Sequence, residues 1–259
     1  MLRGAARPDA ETGEWGMKRL GFVLPLLLVA ACSSAPQQSR LVKAPPVGGT
    51  ARGIDLPIDS RDVAQELKGS GLHFVARYYR SPLSRWPTLS AEEARTVSSN
   101  GMKLVAIWEY LSRKPEHFTY ERGYADAVAA YQQARAIGQP SGSAIYFAVD
   151  FNAQEPYISG AINQYFRGVR KALAAAGGGS PPYRVGVYGS GAVCGYLKGM
   201  QLADYAWLSA STAWSGSRDF GNWNIKQGLR SPMLSFDHDF NDAQGDYGGF
   251  TVSNRYSAL

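Results

Sequence analysis

From residue 53 onward the apolar positions fall into short dense runs separated by longer stretches of helical period. The runs are GIDL (53–56), HFVARYY (73–79), KLVAIWE (103–109), AIYFAVD (144–150), RVGVYG (184–189), YAWLS (205–209), WNIKQ (223–227) and LSFDHD (234–239). Their Val, Ile, Phe, Tyr and Trp content predicts β-strands, the fourth of them buried on both faces. Between the early runs an amphipathic period predicts helices over 59–68, after the Ser90/Glu93 pair of a capping box, over 121–137 and over 157–176. Gly138 and Gly177 stand where the last two should end. Strand alternating with helix implies parallel strands joined by crossovers, and eight strands in about 200 residues fit the lower size limit of a (β/α)8 barrel. The helices shorten or vanish in the last third, so the expected fold is α/β, an irregular (β/α)8 TIM-like barrel. A doubly wound open sheet competes, but no GxGxxG follows any strand. GVYGSG (186–191) has neither that spacing nor the spacing of GxSxG.

The segment ahead of the barrel has a different character. MKRLGFVLPLLLVAAC (17–32) opens with Lys18 and Arg19, continues with an apolar run too short to span a bilayer, and ends on small residues before a cysteine. Residues 1–31 therefore read as a signal peptide. They resemble a bacterial lipoprotein signal, with Val29, Ala30 and Ala31 as the lipobox and Cys32 as the lipidated residue. Residues 33–52, rich in proline and paired glycine, show no period and read as a flexible tether after Cys32. The domain is then expected over 53–259, in an exported protein held to the membrane of the cell envelope through Cys32.

Composition narrows the chemistry. The chain of 259 residues is 45% apolar and 12% aromatic, ample for a core, and its charge of +6 is spread along the sequence rather than gathered into a stripe. Nucleic acid is therefore not an expected partner. With Cys32 lipidated, Cys194 has no partner for a disulfide and reads as a small core residue on a helix. His73, His117 and His238 are far apart and form no ligand pair, so neither a metal nor another cofactor is expected.

What the pattern does gather is acids at strand ends. In a barrel the C-terminal ends of the strands project into the mouth. Asp55 ends the first run, Glu109 the third, Asp150 the fourth, and Asp237 and Asp239 the eighth. Alternation places Tyr146, Ala148 and Asp150 on the inner face of the fourth strand, with Ile145, Phe147 and Val149 outward, and groups Val105, Ile107 and Glu109 on one face of the third. A single such acid is more often a helix cap or a salt-bridge partner. Four strands that converge on one mouth point instead to paired carboxylates, and the aromatics Tyr78, Tyr79, Trp108, Tyr110, Tyr188, Trp207, Trp214 and Trp223 at or beyond the same ends supply flat faces for sugar rings. Asp150, Glu109 and Asp55 are the candidate catalytic residues. Tyr79, Trp108, Tyr188, Trp207 and Gln227, with Asn152 and Asp239, are the candidate glycan contacts.

GIDLP, IYFAVDFN, VGVYGS and FDHDFND resemble, in order, motifs of the family 25 lysozymes, irregular TIM-like barrels that cleave peptidoglycan. The resemblance is closer still to a bacterial family of secreted glycoside hydrolase-like domains related to those lysozymes. It implies a glycoside hydrolase type of barrel acting on cell-wall or envelope glycan, with Asp55 matching the first-strand aspartate, Asp150 the first acid of the fourth-strand Asp-x-Glu, and Asp239 with Asn241 the acidic end of the last strand. One position departs. Where those lysozymes carry a proton-donating glutamate, this chain has Asn152, an amide with no labile proton. Glu109 on the neighbouring strand is the substitute donor in a catalytic reading, and a barrel that binds glycan without cutting it is the alternative.

Overall fold

The computed structural model describes residues 50–228 and 238–253. Cys32, the signal segment, most of the tether and Asp237 lie outside the described residues. Eight strands close into one barrel in chain order: β1 (Ala51–Asp55), β2 (Phe74–Tyr79), β3 (Lys103–Trp108), β4 (Ala144–Ala148), β5 (Arg184–Gly189), β6 (Tyr205–Leu208), β7 (Ile225–Gln227) and β8 (Asp239–Ala243). Neighbours from β1 to β7 are parallel, as the strand and helix rhythm predicts.

The last strand corrects the sequence reading. Instead of a parallel strand ending at Asp239, β8 starts at Asp239 and runs antiparallel to both β7 and β1, with Asp239 opposite Asp55. Reversing the strand while moving it downstream leaves Asp239 at the same mouth. β1 also starts at Ala51, so two residues assigned to the tether belong to the sheet, where Ala51 pairs with Ala243.

The helices follow the crossovers: α1 (Ala64–Gly69), α2 (Ala91–Ser99), α3 (Tyr120–Ile137), α4 (Asn163–Ala176, entered through a π-helical turn, Ile158–Ile162) and α5 (Gly191–Gly199). Ser90 caps α2 by accepting from the Glu93 N–H, but Glu93 does not complete a capping box. Its carboxylate turns inward to pair with Arg77 of β2, both side chains fully buried, and also accepts from Ser60. Gly138 ends α3 in the left-handed conformation, whereas Gly177 ends α4 at φ −104° and the left-handed turn comes one residue later, at Gly178.

Two cores result. Between barrel and helices lie Val75, Tyr79, Trp108, Ile145, Phe147 and Val149; inside the barrel lie Phe74, Ala76, Val105, Ile107, Tyr146, Ala148 and Trp207. This is the expected alternation. The interior is filled by pairing large with absent side chains: a Cβ on Gly53 would overlap the Phe74 ring, and one on Gly186 the Tyr146 ring. The chain after β8 packs against the strand beginnings, with Tyr146 Oη donating to the Tyr247 carbonyl and Ala144 N–H to that of Gly248. That plug closes the lower end beneath the site. Among the described residues no helix is long and apolar enough to cross a membrane.

Candidate active site

The opposite end of the barrel holds a cavity of about 350 Å³, walled by Asp55, Tyr78, Arg80, Trp86, Glu109, Arg113, Asp150, Tyr188, Trp207, Gln227, His238 and Asp239, among others. Each acid arrives by the same device, an inward position at or within two residues of a strand end. Asp55 closes β1, Glu109 follows β3 on the face of Val105 and Ile107, Asp150 follows β4 on the face of Tyr146 and Ala148, and Asp239 opens β8. Their surroundings then set them apart.

Asp55 is buried and fully hydrogen-bonded. Its Oδ1 accepts from Tyr78 Oη at 2.8 Å, and its Oδ2 from Asn241 Nδ2 at 2.8 Å and Gln227 Nε2 at 3.3 Å. The orientation of Asn241 is fixed from behind, because its Oδ1 accepts from Trp207 Nε1 at 2.8 Å. Gln227 bridges the two facing acids by donating also to Asp239 Oδ2 at 3.2 Å, while its Oε1 accepts from Tyr188 Oη at 2.9 Å. Burial raises the Asp55 carboxyl to about 6, with Asp239 adding to the rise and the hydrogen bonds from Asn241, Tyr78 and Gln227 opposing it.

Glu109 has the contrary setting. Its carboxyl accepts no hydrogen bond from any described side chain, and burial first, then the neighbouring Asp150 charge, pushes it up to about 7 against the pull of Arg80 and Arg113. Asp150 is also raised by burial, but Arg113 Nε donates to its Oδ2 at 2.8 Å and opposes that rise. Two carboxyls on adjacent strand ends therefore differ in the way an acid and a base must: one is held towards the neutral form, the other paired with a cation.

Three sequence candidates fall elsewhere. Tyr79 and Trp108 lie on the outward faces of their strands in the layer beneath the helices, and Tyr79 Oη donates to Gln139 Oε1 at 2.6 Å. Proximity to a strand end placed them near the mouth, but the side-chain period of two turns them away. Asn152 is exposed and outside the cavity wall. Its Oδ1 accepts from Ser215 N–H at 2.8 Å and Gln154 Nε2 at 2.9 Å, tying the loop after β4 to the loop after β6. Tyr188, Trp207 and Gln227 do reach the cavity with the four acids. Sequence reasoning missed Arg80, Arg113 and Trp86. Arg80 was within reach of alternation, two residues after Tyr78, whereas Arg113 and Trp86 stand on loops where no period operates. Among the described residues no group of three or more His, Cys, Asp or Glu side chains is arranged to hold a metal ion.

YbfG of Bacillus subtilis (strain 168) is 29% identical over 181 residues, covering 66% of this chain and 25% of its own length, so the chain spans about a quarter of that relative. The crystal structure of the Mycobacterium tuberculosis Tat-secreted protein Rv2525c in complex with L-tartrate superposes with a TM-score of 0.62 at 21% identity, over 78% of this chain and 98% of that one. The modular autolysin LytC of Streptococcus pneumoniae, in complex with a synthetic peptidoglycan ligand, gives a TM-score of 0.51 at 14% identity, over 76% of this chain and 47% of that one. These two likenesses show the fold, a closed α/β barrel. The family model for the Rv2525c-like glycoside hydrolase-like domain matches residues 65–254, well over half of the chain, which thus belongs to that family.

Proposed function

We propose that this domain hydrolyses glycosidic bonds of a cell-wall or envelope glycan, with Glu109 as the general acid and Asp150 as the carboxylate that attacks or stabilises the sugar centre. The observation that carries this reading is the contrast between the two groups: a Glu109 carboxyl with no hydrogen-bond donor among the described residues, raised to about 7, beside an Asp150 carboxylate paired with Arg113. Glycoside hydrolysis needs that division, one carboxyl to protonate the leaving oxygen and one kept ionised to meet the oxocarbenium-like centre. Asp55 and Asp239, joined by Gln227, add negative potential on the neighbouring side of the mouth, and Trp86 and Tyr188 offer ring faces for sugars. Membership of a glycoside hydrolase-like family supports the glycan, and the peptidoglycan ligand of LytC supports the wall polymer as the first substrate to try.

Export is part of the same proposal. Rv2525c is a Tat-secreted relative, and the signal-like stretch ending at Cys32 fits a lipid-anchored form of this chain acting at the membrane surface. A second reading, a barrel that binds glycan without cutting it, draws on Asn152, which stands where the lysozymes carry their proton donor and here serves as a loop tie. The deciding experiment incubates purified peptidoglycan with the protein and measures new reducing ends. Release by the wild type, falling at least about 100-fold in Glu109→Gln and in Asp150→Asn, supports hydrolysis. Binding of the polymer with no reducing ends at any pH from 4 to 8 supports the second reading and rejects the first.

A further inference from the structure

Arg80 is the group in the mouth to which hydrolysis assigns no task. It continues the inward face of β2 two residues past Tyr78 and joins the cavity wall. One side chain fixes its backbone on both sides: Gln133 of α3 accepts from the Arg80 N–H at 3.1 Å and donates to the Arg80 carbonyl at 2.8 Å. Thr88 Oγ1 donates to the same Gln133 Oε1 at 2.7 Å. The guanidinium lies over the Tyr78 ring, 4.1 Å from its centroid, and Nε is buried with no hydrogen-bond acceptor. Among the described residues no carboxylate is within ion-pair distance of it.

A guanidinium does not escape this setting by losing its proton, since arginine stays charged in proteins. Burial opposes the charge and Glu109 only partly offsets that. The acids of the mouth are engaged elsewhere: Arg113 donates to Asp150, and Gln227 joins Asp55 to Asp239, so no described carboxylate pairs directly with Arg80. A positioned, partly desolvated guanidinium with one face on an aromatic ring presents its planar end to the cavity. That end matches a planar, two-oxygen anion.

We propose that Arg80 receives a carboxylate carried on the sugar, so that the glycan recognised by this mouth is acidic. This inference rests on the reading of the mouth as a glycan site. The shared chemistry is a free carboxylate on a sugar unit, from a uronic acid or from a lactyl ether.

Titration calorimetry of the full-length chain separates these sources, using tetragalacturonate and the N-acetylglucosaminyl-N-acetylmuramic acid disaccharide, each beside its carboxyl-reduced counterpart. At least one carboxylated ligand is expected to bind ten-fold or more tightly than its reduced partner, and the arm that shows this names the source. Arg80→Gln should erase the preference while leaving the affinity for the reduced ligand within about two-fold, and Arg80→Lys should keep part of it. Equal binding of carboxylated and reduced ligands, binding of neither pair, or a preference that survives Arg80→Gln in a variant with wild-type circular dichroism overturns the inference. Hydrolysis is read independently. A preference without turnover rejects the proposed hydrolysis and retains the role of Arg80, whereas turnover without a preference does the reverse.

Discussion

Replacing Glu109 by Gln tests the electrostatics of the mouth without reference to any substrate. The wild-type carboxyl titrates near 7 in the folded protein against an ordinary value of 4.5, mainly because burial disfavours its charge. The folded state therefore keeps a proton that the unfolded chain has released. The stabilising effect of that proton is complete below 4.5 and is lost as pH rises through about 7. At about 1.4 kcal/mol per pH unit, a shift of this size amounts to a penalty of about 3 kcal/mol at pH 8.5, reduced by whatever solvent reaches the open cavity. Gln has the shape of the protonated acid and no charge to bury. Glu109→Gln is thus expected to match the wild type within about 1 kcal/mol at pH 5 and to exceed it by about 2 kcal/mol at pH 8.5. Urea unfolding at the two pH values, with equal denaturant slopes required, measures the difference. A gain that is the same at both pH values, or a loss at pH 8.5, would refute the claim that Glu109 is held protonated by its surroundings.

Other sites give predictions of different kinds. Asp55→Ala leaves the donors of Tyr78, Asn241 and Gln227 without their acceptor and is expected to cost about 2–4 kcal/mol in the same assay, whereas Asp55→Asn keeps an acceptor and costs much less. Glu93→Ala strands the fully buried Arg77 guanidinium, and a loss of about 3–5 kcal/mol or failure to fold is expected; a change under 1 kcal/mol would mean that the pair is not dry. Cys194 is enclosed between β5, α5 and β6, and burial pushes its thiol up to about 12. In a Cys32→Ser chain, Ellman's reagent should find no reactive thiol until denaturant is added, and rapid labelling of the native protein would show that α5 opens.

The barrel was legible because its strands obey one rule. Each inward set, Val105, Ile107 and Glu109 or Tyr146, Ala148 and Asp150, follows the period of two, and the acid is its next member. The errors mark where other forces win. β8 was misplaced because LSFDHDFND offers the same apolar and acidic residues in two overlapping registers, and the sequence does not show that the strand returns antiparallel to close the barrel between β7 and β1. α5 was expected only as the helix carrying Cys194, without bounds, because Gly191, Gly195 and Gly199 break its period. Gly191 is nonetheless required, since a Cβ there would overlap the Gly216 carbonyl of the loop after β6. Tyr79 and Trp108 were chosen for residue type rather than for face. Glu93 read as a capping residue because its spacing from Ser90 is local information, while its partner Arg77 arrives only when β2 and α2 pack. Arg113 and Asp150 meet through a loop contact that leaves no trace in either local pattern.

The central claim, that a protonated Glu109 beside an ionised Asp150 cleaves a glycosidic bond, is tested most directly by the pH dependence of kcat/KM on a soluble peptidoglycan fragment. Activity is expected to fall on the alkaline side with an apparent pKa near 7 as Glu109 ionises, and to vanish at all pH values in Glu109→Gln. A rate that stays level from pH 6 to 9, or one that survives in Glu109→Gln, would contradict the account.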